Sequence, residues 1–384
     1  MWHEGQRMRI RLLALVAMSL VPAAFAGSAA AAACAPALAA SPESFSEGPQ
    51  SPYDAAITIR PAGVLRAKVL FADFADASGT ADPSLLVAGW MTDGVKWLTT
   101  SSYGTVWVEL DPERRWLRMP RPSSEYGFAD GTSYEEHRAY FADAIAAADA
   151  TADFSQTDIL YVVAAPNPSM VTSAAFHGQP GVFVVDGREM RFGATFGSDW
   201  VKYGRTVLAH ETGHLFGLPD LYAYTGDPHR FVGVWDLMGN IFLPTDYNAW
   251  HKLKMGWLVP GQFTCAKATG TTTATLTPIG VKGGRKAVFI RTGPKTALLV
   301  ENRQRVANDR GICRRGLVVY SVRSDRATGT GPITVMGGRS GNGCGYGPKS
   351  DAPLVPGQSL TVGRTTILAL PGTGLNRAVR VTRR

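Results

Sequence analysis

Cysteine is scarce in this chain: there are four in 384 residues, and no two stand at a Cys-x-x-Cys spacing. Cysteine-built zinc sites and thioredoxin-like redox motifs use that spacing, so both drop out. Beyond the N-terminus there is no long apolar run that approaches the roughly 18 or more residues a membrane helix requires. No fixed-period repeat runs along the chain, which removes solenoids and propellers. Acidic residues are rare at one end. Residues 1–281 carry 20 Lys+Arg against 27 Asp+Glu, whereas 282–384 carry 19 against 4, so a net −7 is followed by +15. That split suggests two regions with different surroundings and argues against a uniformly basic nucleic-acid binder. What is abundant is apolar material, 45%, with 42 Gly and 24 Pro and only 18% charged residues. A loop-rich globular protein with a real core has this composition; a coiled coil or a disordered chain does not.

Arg7, Arg9 and Arg11 precede an apolar stretch from Leu12 to Ala26, which closes on Ala24-Phe25-Ala26, an A-x-A cleavage pattern. Residues 1–26 therefore read as a secretory signal peptide, with a secreted protein as the expectation. Cleavage as late as about residue 40, near Ala37-Leu38-Ala39, and lipid attachment at Cys34 are the competing processing readings. Residues 27–62, rich in Ser, Pro and Glu toward their end, read as a linker or short pro-segment. In an oxidising compartment Cys313 and Cys344 are the preferred disulfide, with Cys265 spare or paired to a surviving Cys34.

From residue 63 to 263 the pattern is α/β. Ala67-Lys68-Val69-Leu70-Phe71, Ile159 to Ala164 and Gly181 to Asp186 read as buried strands. A helix is expected from Asp82-Pro83 to about Thr99, with Leu85, Leu86, Trp90 and Trp97 on one side. Tyr103 to Leu110 and Trp116 to Met119 read as two strands paired across Asp111-Pro112. Ser133 and Glu136 form a capping box for a helix to about Ala150. From 264 to 384 the grammar is all-β, with short strands over Thr271–Thr277, Lys286–Arg291, Ala297–Asn302, Gly316–Val322, Gln358–Val362 and Thr366–Leu370. The expected architecture is a mixed-sheet α/β (α+β) domain followed by a β-rich, sandwich-like one.

The chemistry concentrates in Thr206-Val-Leu-Ala-His210-Glu211-Thr212-Gly213-His214-Leu215-Phe216-Gly217-Leu218-Pro219-Asp220. On a helix His210 and His214 lie one turn apart, so both imidazoles project from one face and can share a metal ion. Glu211 lies about 100° around from His210, near enough to take a proton from a water at the metal but poorly placed to be a ligand. Gly217 can adopt the left-handed conformation that ends a helix and turns the chain, which lets Asp220 approach. Two His and a carboxylate with a fourth position for water is the open pattern of a catalytic zinc. Asp227, His229 and His251 compete with Asp220 for the third place.

This segment resembles the metzincin pattern and, more closely, is similar to the immune inhibitor A family of secreted zinc metallopeptidases. The likeness rests on His210 to Tyr222 (HETGHLFGLPDLY), Val234-Trp-Asp-Leu-Met-Gly239, Asn248-Ala-Trp-His-Lys-Leu-Lys-Met-Gly-Trp257 and Leu299-Val-Glu-Asn-Arg-Gln304. It spans about Leu65 to Val322. The resemblance implies that His210, His214 and Asp220 bind zinc, that Glu211 is the general base, and that Met238 forms the floor of the site. Where many metzincins place a tyrosine, two residues after the turn methionine, this chain has Asn240. Tyr247 and His251 are then the candidates to stabilise the oxyanion, with packing and a helix surface as their respective alternatives.

The expected function is thus a secreted zinc endopeptidase acting on protein or peptide substrates. Two other classes stand beside it: a non-enzymatic surface-binding protein that keeps the fold, and a zinc hydrolase of non-protein amides. Substrate would lie along an edge strand, either Gly181 to Asp186 or Met190 to Thr195. Asp73, Asp76 and Asp82 offer oxygen ligands to calcium, though without EF-hand spacing, so solvated loop acids is the competing reading. The basic C-terminal region could rest on an anionic cell surface, and it carries no motif for specific nucleic acid. Trp235, Trp250 and Trp257 read as core around the site.

Overall fold

The computed structural model describes residues 34, 58–129, 131–243, 245–338, 344, 345 and 347–384. The signal-peptide reading and most of the linker reading lie outside them.

The first half is built on a five-stranded sheet. In chain order its neighbourhood contributes β1 (Gly63–Asp73), β2 (Val106–Arg118), β3 (Ile159–Ala164), β4 (Ala174–His177), β5 (Val184–Val185), β6 (Arg188–Glu189) and β7 (Phe192–Phe196). The sheet order is β2-β1-β3-β7-β4, parallel except for the antiparallel edge β4. β3 is buried along its whole length, which is why it reads as a continuous apolar run without alternation.

β2 departs from the two-strand expectation. Asp111 and Pro112 do not form a turn; the strand runs through them in parallel with β1, with a register shift between Val69 and Phe71. As an edge strand, β2 can carry a proline because its outer side has no ladder bond to lose. Gly181 to Asp186 also differs from expectation. Only Val184–Val185 is extended, and it pairs with β6 in a separate two-stranded ribbon.

Helical segments cover both faces. Asp82 caps α1 (Pro83–Leu86) by accepting from Ser84 N at 2.8 Å, and a wide turn over Val87–Met91 leads into α2 (Thr92–Ser101). Gly89 has non-helical angles inside that turn, which rotates the helical face and leaves Leu85 71% exposed. α3 (Tyr134–Ala148) begins with both halves of the capping box from Ser133 and Glu136. α4 (Trp200–Leu215) and the short α5 (Ala249–Lys254) complete the set.

The second half contributes β8 (Phe263–Cys265), β9 (Gly270–Leu276), β10 (Ala287–Arg291), β11 (Thr296–Arg303), β12 (Gly316–Arg323), β13 (Ile333–Val335), β14 (Ser359–Val362), β15 (Thr365–Leu370) and β16 (Arg377–Arg383). They form two sheets, β13-β12-β11-β10-β8 and β14-β15-β16-β9. The inner faces meet in a sandwich core that includes Val288, Val300, Val319, Ile367 and Val379. β16 escaped the sequence reading because three arginines mask its alternation of Val379 and Val381 inward.

The opposite face of the first of these sheets joins the core of the N-terminal half. One continuous cluster holds Val69, Tyr161, Leu208 and Met238 together with Leu299, Val318, Tyr320 and Val335. The 263/264 boundary therefore crosses a shared interior. The boundary at 62/63 is also soft: Ile59 N donates to Leu215 O at 2.9 Å at the end of α4, and Trp257 Nε1 donates to Pro61 O.

Two disulfides are formed, Cys313–Cys344 as preferred and Cys34–Cys265. The second is the pairing left open for a surviving Cys34, and it engages the Cys34 sulfur with Cys265. The calcium reading changes. Asp73 is forked by Arg118 at 2.9 and 3.0 Å, Asp76 accepts from Ser123 N and Oγ, and Asp82 is the α1 cap. Each acid has its own partner, and among the described residues the three do not form a metal-ligand group. Among the described residues no helix is long and apolar enough to cross a membrane.

Candidate metal centre

α4 presents the metal-ligand stripe. Its apolar positions Val207, Leu208 and Leu215 are buried, so the helix is clamped and the i, i+4 pair His210 and His214 must share one face. Each ring is oriented from behind by a carbonyl: His210 Nδ1 donates to Leu237 O at 3.2 Å, and His214 Nδ1 donates to Leu218 O at 2.8 Å. A carbonyl only accepts, so both Nδ1 atoms carry the hydrogen, and in the neutral rings it is the Nε2 atoms that present lone pairs.

Gly217, at φ 88°, ends the helix as expected, and Gly217 N donates to His214 O. The chain then turns back and brings in Asp220. Its Oδ1 lies 3.2 Å from the Nε2 of His210 and 3.2 Å from that of His214. It is buried and, among the described residues, has no hydrogen-bond donor other than the two imidazoles in reach, whereas Oδ2 accepts from Tyr224 OH at 3.0 Å. Three lone-pair donors thus meet at one point, with all three ligand atoms within 4.8 Å of one another. Such a cluster could hold a cation between its members. The donor set, two imidazoles and a carboxylate, fits zinc.

Burial works against charge on Asp220, but His214 and His210 outweigh it and hold the carboxyl below its ordinary range. Burial also opposes charge on His214, yet Asp220 pushes it up to about 9. These opposed shifts are how the cluster answers its own need for positive charge. Glu211 lies beside it, fully enclosed. Burial pushes it up to about 7, against the pull of His210 and His214.

Met238 lies under the helix. Gly213, directly before His214, is so close that a Cβ there would come within 2.8 Å of Met238 Sδ and 3.1 Å of Tyr247 OH. Asp236 shapes this turn by accepting from Met238 N at 2.8 Å and from Asn248 N at 2.7 Å.

No protein-family model matches this chain, and no curated protein is similar enough to be counted a relative.

Of the expected site residues, His210, Glu211, His214, Asp220 and Met238 come together. Tyr247 and His251 do not. Tyr247 OH donates to Ala209 O at 2.6 Å inside α4, and His251, fully buried, faces Asp236 at 3.0 Å. Both brace the site from behind. Asp227 and His229 are also elsewhere, Asp227 accepting from His229 N and His229 facing Gly239 O.

The residue that sequence reasoning passed over is Tyr222. Its ring stacks on His210 at 6.5 Å and 23°. Burial, then the nearby charges of Asp220 and Glu211, raise its phenol. Its position two residues after Asp220 was the available signal. The structure also contains a cavity of about 450 Å³ along the same α4 stripe, one to two turns before His210, lined by Trp90, Trp200, Tyr203, Thr206, Ile241 and Phe242.

Proposed function

We propose that this protein is a secreted zinc endopeptidase of the type represented by the immune inhibitor A family. The observation that carries the reading is the convergence of His210 Nε2, His214 Nε2 and Asp220 Oδ1 beside a buried Glu211. These three residues would hold zinc, which would supply a Lewis acid to acidify a water and polarise a carbonyl.

Glu211 is suited to the proton work. A carboxyl raised toward neutrality accepts a proton from the attacking water and returns it readily to the leaving amine. The water oxygen bonds to the carbonyl carbon, and the C–N bond breaks as the nitrogen is protonated. The Tyr222 hydroxyl, protonated and hydrogen-bonded beside Asp220, is the donor assigned to the developing oxyanion. Substrate backbone would add to β4, the antiparallel edge of the main sheet, in place of the two segments expected earlier. β7 is interior, and Val184–Val185 lies outside that sheet.

Secretion is supported by the N-terminal signal pattern and by the two disulfides. A binding protein without activity has no use for a buried acid beside a metal cluster, since burial of Glu211 only costs stability.

The test compares wild type with Glu211→Gln for zinc content and cleavage of casein. One zinc per chain in both, with cleavage by wild type only, is expected. Cleavage by the variant removes Glu211 as base, and a wild type that holds zinc yet cuts no protein favours the non-protein amide reading.

A further inference from the structure

The C-terminal sheets look like an appended module, but two of their connections reach into the metal centre. The first is the β12–β13 loop. Thr328 Oγ1 accepts from the backbone N–H of Asp220 at 3.0 Å, and Gly329 N donates to Asp220 O. Thr328 also lies 3.0 Å from the Tyr224 hydroxyl, which itself donates to Asp220 Oδ2. Thr328 therefore gives its hydrogen to Tyr224 and closes a relay that leaves Asp220 Oδ1 pointing at the histidines. Gly329 has no room for a side chain, because a Cβ would come within 2.5 Å of the Tyr224 ring.

The second connection is the end of β11. The guanidinium of Arg303, fully buried, donates to Trp235 O at 2.9 Å, to Asp246 O at 3.0 Å and to the carboxylates of Glu301 and Asp309. Glu301 in turn accepts from Ala249 N at 2.7 Å and from Tyr320 OH at 3.0 Å. Trp235 and Ala249 bracket the turn that carries Met238 and the Leu237 carbonyl, the group that orients His210.

We propose that the C-terminal sheet is an integral part of the metal centre, with Thr328 as the positioning residue for Asp220 and Arg303 as the positioning residue for the Met238 turn. The proposal rests on the metal-centre reading above. Its physical basis is that a chain turn carrying a ligand keeps its geometry only when its backbone polar groups are held, and here the holders come from about 65 to 110 positions further along the chain.

The experiment uses full-length Thr328→Val and Arg303→Lys, with Ile367→Val in the outer sandwich as a purely structural control. Zinc affinity by chelator competition, the visible spectrum of the cobalt form, and hydrogen exchange of the metal-free chain are read together. Thr328→Val is expected to weaken zinc binding about 10- to 100-fold, shift the cobalt bands and speed exchange over residues 218–224. Arg303→Lys is expected to speed exchange over 234–249, and in both variants β1 and β3 stay protected. Ile367→Val should lower Tm and leave metal affinity unchanged. If Thr328→Val and Arg303→Lys behave like Ile367→Val, the proposal is overturned. Should Arg303→Lys not fold, Thr328→Val alone decides. Failure of wild type to bind zinc or cobalt refutes the metal-centre reading instead. Exchange in the metal-free variants then decides the brace: unchanged rates overturn it, and local acceleration upholds it.

Discussion

At the scale of single residues, the site depends on which atom of each side chain is free. His210 and His214 are anchored through Nδ1, Asp220 through Oδ2, and the atoms left over are the three that converge. Tyr222 differs from the other candidate donors in its place beside Asp220 and His210. Tyr247 has already spent its hydroxyl on Ala209 O and His251 is committed to Asp236, whereas Tyr222 sits over His210 within the field of Glu211. Tyr222→Phe is therefore expected to lower kcat about 10²- to 10³-fold, the range for loss of one oxyanion donor, with zinc content unchanged. Steady-state kinetics alongside metal analysis checks this. A variant with wild-type kcat would return the role to another group.

At the scale of elements, α3 seals the far face of the main sheet through an aromatic cluster with a histidine inside it. His137 is buried, its Nε2 is 2.9 Å from Thr195 Oγ1, and its ring packs edge-on against Phe128, Phe141 and Phe176. Burial, with a smaller contribution from His177, depresses its pKa to about 3 from an ordinary value of 6.5. The folded state thus binds the proton more weakly than the unfolded one. Its neutral form is accommodated at full stability above about pH 6.5, and stability is lost as pH falls from there toward 3, by up to about 1.4 kcal/mol per pH unit. His137→Gln, which has no proton to gain, is expected to flatten the dependence of unfolding free energy on pH between 6 and 4. Urea titrations at a series of pH values measure it, and an unchanged slope would mean that the histidine is solvated as it titrates.

At the scale of the whole molecule, the halves share a core and are tied by Cys34–Cys265 across 231 positions. Closing so long a loop in the unfolded chain contributes at most about 5 kcal/mol, so reduction should lower Tm measurably. The same bond predicts the processed form: intact mass of the exported protein should place its first residue before Cys34, with no lipid mass added. A mature chain beginning after Cys34 would contradict it.

Much of this was legible from the chain alone wherever the governing distance is a few residues. The histidine pair, the Gly217 stop, the Ser133 capping box and the runs Ile159–Ala164 and Gly316–Val322 follow from helical and strand periods, which neighbouring residues enforce by themselves. The choice of Asp220 over Asp227, His229 and His251 did not follow from spacing. Nor did the passage of β2 through Pro112, the interior place of β7, or the position of Tyr222 over His210 while Tyr247 braces α4. These depend on which surfaces meet after the chain has folded back, and a local pattern holds no information about the partner across a 100-residue gap. Sequence by itself determined which candidate ligands α4 carries on one face, because ligand type and helical phase are local properties. Only the tertiary structure decided which lone pairs are left free to converge, because that is set by Leu237, Leu218, Tyr224 and Thr328, brought together from distant stretches of one shared core.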